Sequence, residues 1–261
     1  MKNTRYLKAL LIMIIILSAF QLYSQTKFNI TFTGGYSLPL ADLKGDFPDS
    51  LGSAGYLNFE RSSTLLTTGG FNIGLNGKYV VDTLGKARLT GGFNYSSFSG
   101  NMDYRRTAAT LTYKNKVNIF TISAGAEYGF MPKKKINPFV GLDLAVNFYS
   151  GKIEASGDTT FTLKRKSETR FGVVANAGVD IKFNKSIGAV VGVKYALTNL
   201  IGKKTDITTT STVITDDEQG GTTSFKELGL NDEETSGNKS KSLYYLQIYA
   251  GLSFYFGDVL K

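Results

Sequence analysis

The sequence contains no cysteine and no histidine. Without cysteine the chain has no disulfide, no lipid-bearing thiol and no thiolate nucleophile. Without histidine it lacks the commonest general base, and the two absences together remove the usual ligands of zinc. Catalysis by carboxylates alone stays open. The sequence therefore predicts no cofactor, no metal site and a protein that is not an enzyme.

Proline is also scarce, since 4 Pro stand against 29 Gly, 18 Phe and 15 Tyr in 261 residues. Aromatic residues favour strands and glycine is common in turns, whereas neither favours helices. The length suits one large domain. The composition therefore predicts a single all-β domain.

Long hydrophobic runs are absent except for one near the N-terminus. Residues 9–20 are apolar, follow Lys2, Arg5 and Lys8, and precede a polar stretch in which Ser24 is a small residue before a cleavage site. A membrane helix needs roughly 20 apolar residues, which this run does not reach. We therefore predict a secretory signal peptide over residues 1–24 and a β domain over residues 25–261.

The formal net charge of +9 is partly a property of that leader. Without Lys2, Arg5 and Lys8 the chain has 27 basic and 21 acidic residues, a net charge of +6. The remaining cations lie in loops and turns, such as residues 133–135, and not in a stripe interleaved with aromatic residues. The pattern gives no support for a nucleic-acid partner.

Alternation of apolar and polar residues with a period of two is the main positive signal, because it is typical of strands with two different faces. In Leu243–Phe256, for example, Tyr244, Leu246 and Leu252 share one face, and Gln247 and Ser253 share the other. Eight segments show the pattern. They span residues 28–38, 71–81, 87–98, 117–130, 138–149, 171–183, 187–198 and 243–256.

The connections between these segments are alternately long and short. Short ones span residues 82–86, 131–137 and 184–186, and long ones span 39–70, 99–116, 150–170 and 199–242. An up-and-down membrane barrel has short periplasmic turns and longer external loops, and closure satisfies every backbone group in lipid. We therefore predict an eight-stranded antiparallel up-and-down transmembrane β-barrel.

Two other architectures stay open at this point. A soluble barrel that binds an apolar ligand also alternates, but with its apolar face inward. Residues 207–215 and 222–228 predict a hairpin above the membrane, and a barrel of ten strands would result if such a hairpin spanned the membrane instead. Residues 107–113 and 159–164 also have strand character, and we expect them to extend neighbouring strands above the membrane, since they lack an apolar stripe.

The two faces of the segments differ in side-chain size. Glycines gather opposite the apolar face, where they suit the narrow lumen of an eight-stranded barrel, and we expect the large aromatic residues outside. Aromatic residues also gather near the ends of the apolar face, as in the two interfacial girdles of membrane barrels. Both observations favour an apolar face that contacts lipid.

At this point the chain resembles the small outer-membrane β-barrel family, the porin-like and OmpA-like or OmpX-like transmembrane domains of Gram-negative bacteria. Members of this family tend to end in an assembly signal, which Gly251, Phe254 and Phe256 match, although residues 257–261 follow the closing aromatic. The resemblance implies location in the outer membrane. It also implies contact with outer-membrane lipid and lipopolysaccharide, handling by the barrel assembly machinery, and a monomer.

Seven charged residues fall on the predicted inward face, and all but one lie close to the short turns. They are Lys78, Arg88, Glu127, Asp143, Asp180, Lys182 and, farther from the turns, Lys194. Isolated charges in a narrow lumen are costly, so we predict a hydrogen-bonded ion-pair network that plugs the periplasmic end. The same cluster would serve as a gate if the lumen conducts.

These features predict a non-enzymatic outer-membrane barrel with a closed or nearly closed lumen. Its long external loops would recognise an external ligand or surface partner, or the protein would have a structural role in the envelope. The alternative is a narrow porin-like channel for ions or small solutes. A soluble periplasmic barrel is the third hypothesis.

Overall fold

The computed structural model describes residues 28–45, 64–106, 109–156, 161–201, 230 and 241–257. Within them the chain forms eight strands in sequence order. They are β1 (Phe28–Ala41), β2 (Gly69–Val80), β3 (Ala87–Arg106), β4 (Ala109–Gly129), β5 (Ile136–Ser156), β6 (Phe161–Lys182), β7 (Ile187–Ile201) and β8 (Leu243–Phe256). Each strand pairs antiparallel with its neighbours in sequence, and β8 pairs with β1 to close the barrel. The predicted all-β, eight-stranded barrel is confirmed.

The closed ring leaves no place for two more spanning strands. β8 pairs along one edge with β7, from Ile187↔Phe254 to Leu197↔Tyr244, and along the other with β1. The ten-stranded alternative is therefore wrong. The hairpin predicted over residues 207–215 and 222–228 lies outside the described residues, as does the predicted signal peptide. No helix in the described part of the chain is long and apolar enough to cross a membrane.

The apolar faces of the strands point outward, as the alternation predicts. Phe32, Leu144 and Leu252 are examples, with Leu144 71% exposed. Aromatic rings form contacts across neighbouring strands on this surface, and Phe120 lies 6.3 Å from Phe93 and 6.2 Å from Phe148 between ring centroids. A soluble barrel would have the reverse arrangement, so the third hypothesis is inconsistent with the exterior.

Short turns join the strands at one end of the barrel. At the β6–β7 turn the Asn184 side-chain Oδ1 accepts hydrogen bonds from the backbone N–H groups of Ser186 and Ile187, both at 2.8 Å. Asn is favoured in such turns because its short amide satisfies local backbone donors. At the β2–β3 turn Gly85 has a φ of 77°, which glycine adopts without steric cost. This end is the periplasmic rim of the predicted topology.

At the opposite end four strands continue beyond the other four. β3 to β6 have 20 to 22 residues, whereas the remaining strands have 12 to 15. Pairing continues to Arg106↔Ala109, Thr112↔Ser156 and Ala155↔Phe161. The connections predicted over residues 99–116 and 150–170 are thus mostly strand. The strand extensions expected at residues 107–113 and 159–164 are found from Ala109 and Phe161 onward.

We call residues 100–106, 109–115, 151–156 and 161–165 the protruding sheet. Two register shifts lie where this sheet leaves the barrel. Opposite the Tyr149/Gly151 step of β5 the extra residue is on β6, and opposite the Phe171/Val173 step of β6 the extra residues are on β7. Bulges bend a strand and increase its twist, so they redirect the sheet at its base.

Candidate functional site: the filled lumen

Four charged side chains from four strands meet inside the barrel near the short turns. We call Lys78, Arg88, Glu127 and Asp180 the four-charge cluster. Lys78 Nζ lies 3.0 Å from Asp180 Oδ1 and 3.1 Å from Glu127 Oε1. Arg88 Nη1 lies 2.6 Å from Asp180 Oδ2, and its Nη2 lies 2.5 Å from Glu127 Oε1. Two cations and two anions thus balance, and all four side chains are buried.

Strand register explains why Arg88 and Glu127 meet, but not why Asp180 joins them. Arg88 and Glu127 are directly opposed on β3 and β4, so their side chains are neighbours on the inner face. Asp180 reaches Lys78 and Arg88 across the lumen from β6 and accepts a hydrogen bond from each. The contacts to Glu127 are ion pairs that lack hydrogen-bond geometry. Asp180 is therefore the anchor of the cluster.

An inward aromatic ring packs against the two cations. Lys78 Nζ lies 3.9 Å from the centroid of the Phe139 ring, and the Arg88 guanidinium carbon lies 5.6 Å from it. Phe139 on β5 is directly opposite Gly178 on β6, where an added Cβ would come within 2.7 Å of the ring. The glycine makes room for the ring, which covers the cations.

Three of the seven predicted charges lie outside the cluster. Asp143 accepts a hydrogen bond of 2.5 Å from Thr90, Lys194 donates to Asn76 Oδ1 at 3.1 Å, and Lys182 donates to the Pro132 carbonyl at 2.7 Å. None of the three forms an ion pair with a residue that the structure describes. Hydroxyl, amide and carbonyl groups replace the predicted ionic partners, so the network has four members and not seven.

Above this level the lumen is filled by polar side chains that bond one another. Asn72 donates to Ser37 Oγ at 3.1 Å, and Gln247 donates to Ser96 Oγ at 2.9 Å. Thr121 donates to Asn147 Oδ1 at 2.8 Å. All of these side chains are buried. Their hydrogen bonds replace those of water in a narrow interior.

The end of the lumen opposite the short turns is apolar, which the sequence did not predict. Buried side chains from the strands meet others from the connections, and Phe98 packs on Tyr245 with ring centroids 5.2 Å apart. We call the following set the apolar layer: Leu43, Leu65, Phe98, Val117, Ile119, Tyr149, Leu230, Leu243 and Tyr245. Tyr149 donates its hydroxyl to Thr198 Oγ1 at 2.6 Å.

The expectation that large aromatic residues lie outside is wrong for a set of inward residues. These are Phe98, Phe139, Tyr149, Tyr245, Tyr249 and Tyr255. An eight-stranded barrel must fill its interior with side chains, and rings fit there where an adjacent strand has glycine. Tyr249 is directly opposite Gly192, where an added Cβ would lie 2.6 Å from the tyrosine hydroxyl. In the sequence, an aromatic residue on the inward face of a strand, opposite a glycine on the next strand, was the signal that could have predicted these rings.

The predicted assembly-signal residues lie at the seam where β8 closes on β1. Phe254 contacts Phe32 edge-on with ring centroids 6.2 Å apart, and Phe256 lies 6.4 Å from Phe28 at the rim. Gly251 faces inward, where an added Cβ would clash with the Phe32 carbonyl. Their function as a signal stays a prediction.

Two buried arginines lie on the inner side of β6 toward the end opposite the short turns. Arg170 Nε donates to Glu168 Oε2 at 3.0 Å, and Arg165 Nη2 contacts Asn115 Oδ1 at 3.5 Å. Burial lowers the pKa of Arg165, which lies in the protruding sheet, to about 10. Sequence reasoning missed Arg165 because the register shift between β5 and β6 changes which residues face inward, and it missed Arg170 because the predicted strand began at residue 171. Among the described residues no three His, Cys, Asp or Glu side chains are arranged to hold a metal ion.

No curated protein sequence matches the chain. Solved structures similar to it include Neisserial surface protein A, with 14% identity, a TM-score of 0.46, and coverage of 88% of this chain and 97% of that one. Ail of Yersinia pestis shows 10% identity, a TM-score of 0.39 and coverage of 90% and 100%. OprG of Pseudomonas aeruginosa shows 12% identity, a TM-score of 0.42, and coverage of 90% of this chain and 98% of that one.

These likenesses are too distant to carry weight for function. A sequence model of the outer membrane protein beta-barrel domain matches residues 8–217, which is more than half of the chain. The closed eight-stranded barrel with its apolar exterior has the features of such a domain. The chain belongs to the outer membrane protein beta-barrel family.

Proposed function

We propose that this protein is a non-catalytic, non-conducting outer-membrane barrel whose protruding sheet recognises a partner at the cell surface. The main observation in favour of a closed lumen is that buried side chains fill it near both ends. The four-charge cluster fills one end, and the apolar layer fills the other. Side chains of both levels are buried, with Asp180 only 1% exposed. Ions would have to displace both levels to cross.

The charged level resists displacement because its charges depend on one another. A single charge left in a low-dielectric interior costs several kcal/mol, whereas a balanced and bonded set offsets that cost. Phe139 adds a ring over both cations. This arrangement supports a structural plug over a gate.

The protruding sheet supports recognition because its strands are paired with one another. β3 continues for seven residues beyond Ser99, the last residue that pairs with β2, which is about 20 Å of strand. Backbone pairing holds its four strands together. Rigid presentation lowers the entropy lost on binding. The sheet is thus better suited to specific contact than flexible loops of the same length.

Conductance in planar bilayers tests the closed lumen. We expect the refolded barrel, with folding verified by heat-modifiable gel migration, to give no steady unitary conductance, while a porin in the same bilayer conducts. A reproducible pore in the folded protein would contradict the proposal and favour the narrow channel.

Shortening the protruding sheet tests recognition. Asn101 and Lys114 are directly opposed, so residues 102–113 can be replaced by an Asn-Gly turn that keeps the register below. We expect cells that carry this variant to insert it normally and yet to resemble cells that lack the protein. If the variant restores all properties of the full chain, the barrel itself has the function and recognition by the sheet is wrong.

A further inference from the structure

Three lysines lie side by side on the outer face of β4, β5 and β6, at the base of the protruding sheet. Lys116 is directly opposite Lys152, and Lys152 is directly opposite Lys164. We call these three residues the lysine row. Lys152 and Lys164 are exposed and Lys116 is half-buried. The sequence pattern does not predict the row, because the row depends on the pairing of three strands and on the register shift in β6.

Such a row is unfavourable without an anion. Directly opposed side chains on neighbouring strands have Cβ atoms about 5 Å apart, and like charges at that spacing are destabilising. Lys152 forms an ion pair with Glu154, two residues along β5. Neither Lys116 nor Lys164 forms an ion pair with a residue that the structure describes. One carboxylate therefore serves three ammonium groups.

The electrostatic potential at Glu154 is positive, as expected next to a row of lysines. The hydrogen bond from Lys152 lowers the pKa of the Glu154 carboxyl, and the charges of Lys152, Lys114 and Lys116 act in the same direction. Lys114 is directly opposite Glu154 and is also exposed. A local excess of positive charge thus extends beyond the row itself.

The position of the row above the lipid-facing surface indicates which part of the membrane lies next to the excess positive charge. Phe120 and Phe148 are directly opposed and exposed on the same outer face, four residues below Lys116 and Lys152 respectively. Four residues span about 13 Å of strand, or about 10 Å of height at the usual tilt. The polar region outside the hydrocarbon core is about 5 to 8 Å thick on each side. Lysine side chains at this height reach the headgroups.

We propose that the lysine row binds the phosphate groups of a phosphorylated glycolipid in the outer leaflet, such as the lipid A part of lipopolysaccharide. The row points toward lipid, along the same face as the aromatic residues below it, and not toward the lumen. Its spacing suits a headgroup with more than one phosphate. The site does not depend on the closed lumen or on recognition by the protruding sheet.

Native mass spectrometry of the refolded barrel in detergent, titrated with diphosphoryl lipid A, tests this proposal. The test variant is Lys116→Gln/Lys152→Gln/Lys164→Gln, and its matched control is Lys133→Gln/Lys134→Gln/Lys135→Gln, which removes the same charge from an exposed periplasmic turn. We expect the control to bind as the wild type does, and the row variant to bind about 100-fold more weakly, about fivefold per lysine. Equal loss in both variants would show a bulk charge effect and overturn the proposal.

Two further arms separate the source of the anion and the effect of folding. The wild type is expected to bind dephosphorylated lipid A no better than the row variant does, and inorganic phosphate is expected not to displace the lipid. Equal binding of phosphorylated and dephosphorylated lipid, or displacement by free phosphate, would contradict a glycolipid site. Glu154→Gln removes the competing carboxylate and is expected to tighten binding severalfold. Weaker binding by a folded Glu154→Gln barrel would overturn the proposal.

Discussion

Lys78 on β2 and Asp180 on β6 meet across the lumen, with Nζ 3.0 Å from Oδ1, although 102 residues separate them in sequence. Asp180 also accepts a hydrogen bond from Arg88. Because these charges are buried, the cluster tolerates loss of a balanced pair better than loss of one member.

Asp180→Asn leaves two cations facing Glu127 alone and is expected to lower the free energy of unfolding by about 3 to 5 kcal/mol. Lys78→Met/Asp180→Asn keeps Arg88 with Glu127 and is expected to cost less than the single substitution. Urea unfolding of the refolded barrel in lipid vesicles measures both. A double variant that is less stable than Asp180→Asn would show that charge balance does not govern this level.

The lipid-facing assignment predicts a dependence on depth within one strand. Leu144 and Ile136 lie on the outer face of β5, in the middle and at the periplasmic end respectively, and both are exposed. Leu144→Lys is expected to cost about 2 to 4 kcal/mol and Ile136→Lys about 0 to 1 kcal/mol. The same unfolding assay compares them. Similar costs at the two positions would contradict the placement of the bilayer.

Inward glycines that make room for rings are expected to resist substitution. At Gly178 an added Cβ would lie 2.6 Å from the Val191 carbonyl and 2.7 Å from Phe139, whereas at Gly91 the nearest atom would be 3.8 Å away. Gly178→Ala is therefore expected to destabilise the barrel by about 1 to 3 kcal/mol through overpacking. Gly91→Ala serves as the control and is expected to be neutral or slightly stabilising. Equal effects would mean that the lumen is not tightly filled.

The proposed assembly signal predicts a defect in cells that purified protein does not share. Phe256→Ala is expected to reduce the amount of folded barrel in the outer membrane, because recognition of the last strand is weakened, while refolding in detergent is retained. Phe183→Ala removes another exposed aromatic residue, immediately after the end of β6, and is the matched control. If both variants assemble equally well in cells, Phe256 is a girdle residue and not part of a signal.

Alternation along single strands was sufficient to predict the eight strands, their faces and their antiparallel order. The pattern is informative because one face of each strand contacts lipid and the other faces the lumen. A shift of one residue would therefore place charged residues such as Asp143 in lipid. The extensions of β3 to β6 were only partly predicted, since strands in water need no apolar stripe. Tyr113 and Ile153 are buried there, but too few such residues mark the segment.

The interior was harder to predict because it depends on contacts across the lumen. Arg88 and Glu127 pair through register, which a strand alignment can supply. Contact of Asp180 with Lys78 depends on the tilt and stagger of the whole barrel, which no single strand encodes. Phe98 and Phe139 break the rule that inward residues are small, and only their neighbours across the sheet explain why they fit.

The closed lumen is tested most directly by labelling single cysteines, since the chain has none of its own. Ser96 lies among the polar side chains between the four-charge cluster and the apolar layer and is 0% exposed, whereas Thr162 is exposed on the protruding sheet. Ser96→Cys and Thr162→Cys barrels, folded in vesicles and treated with a small charged thiol reagent on both sides, are compared with the unfolded proteins. We expect Thr162→Cys to react rapidly and Ser96→Cys to react only after unfolding. Comparable labelling of both folded barrels would contradict the closed lumen.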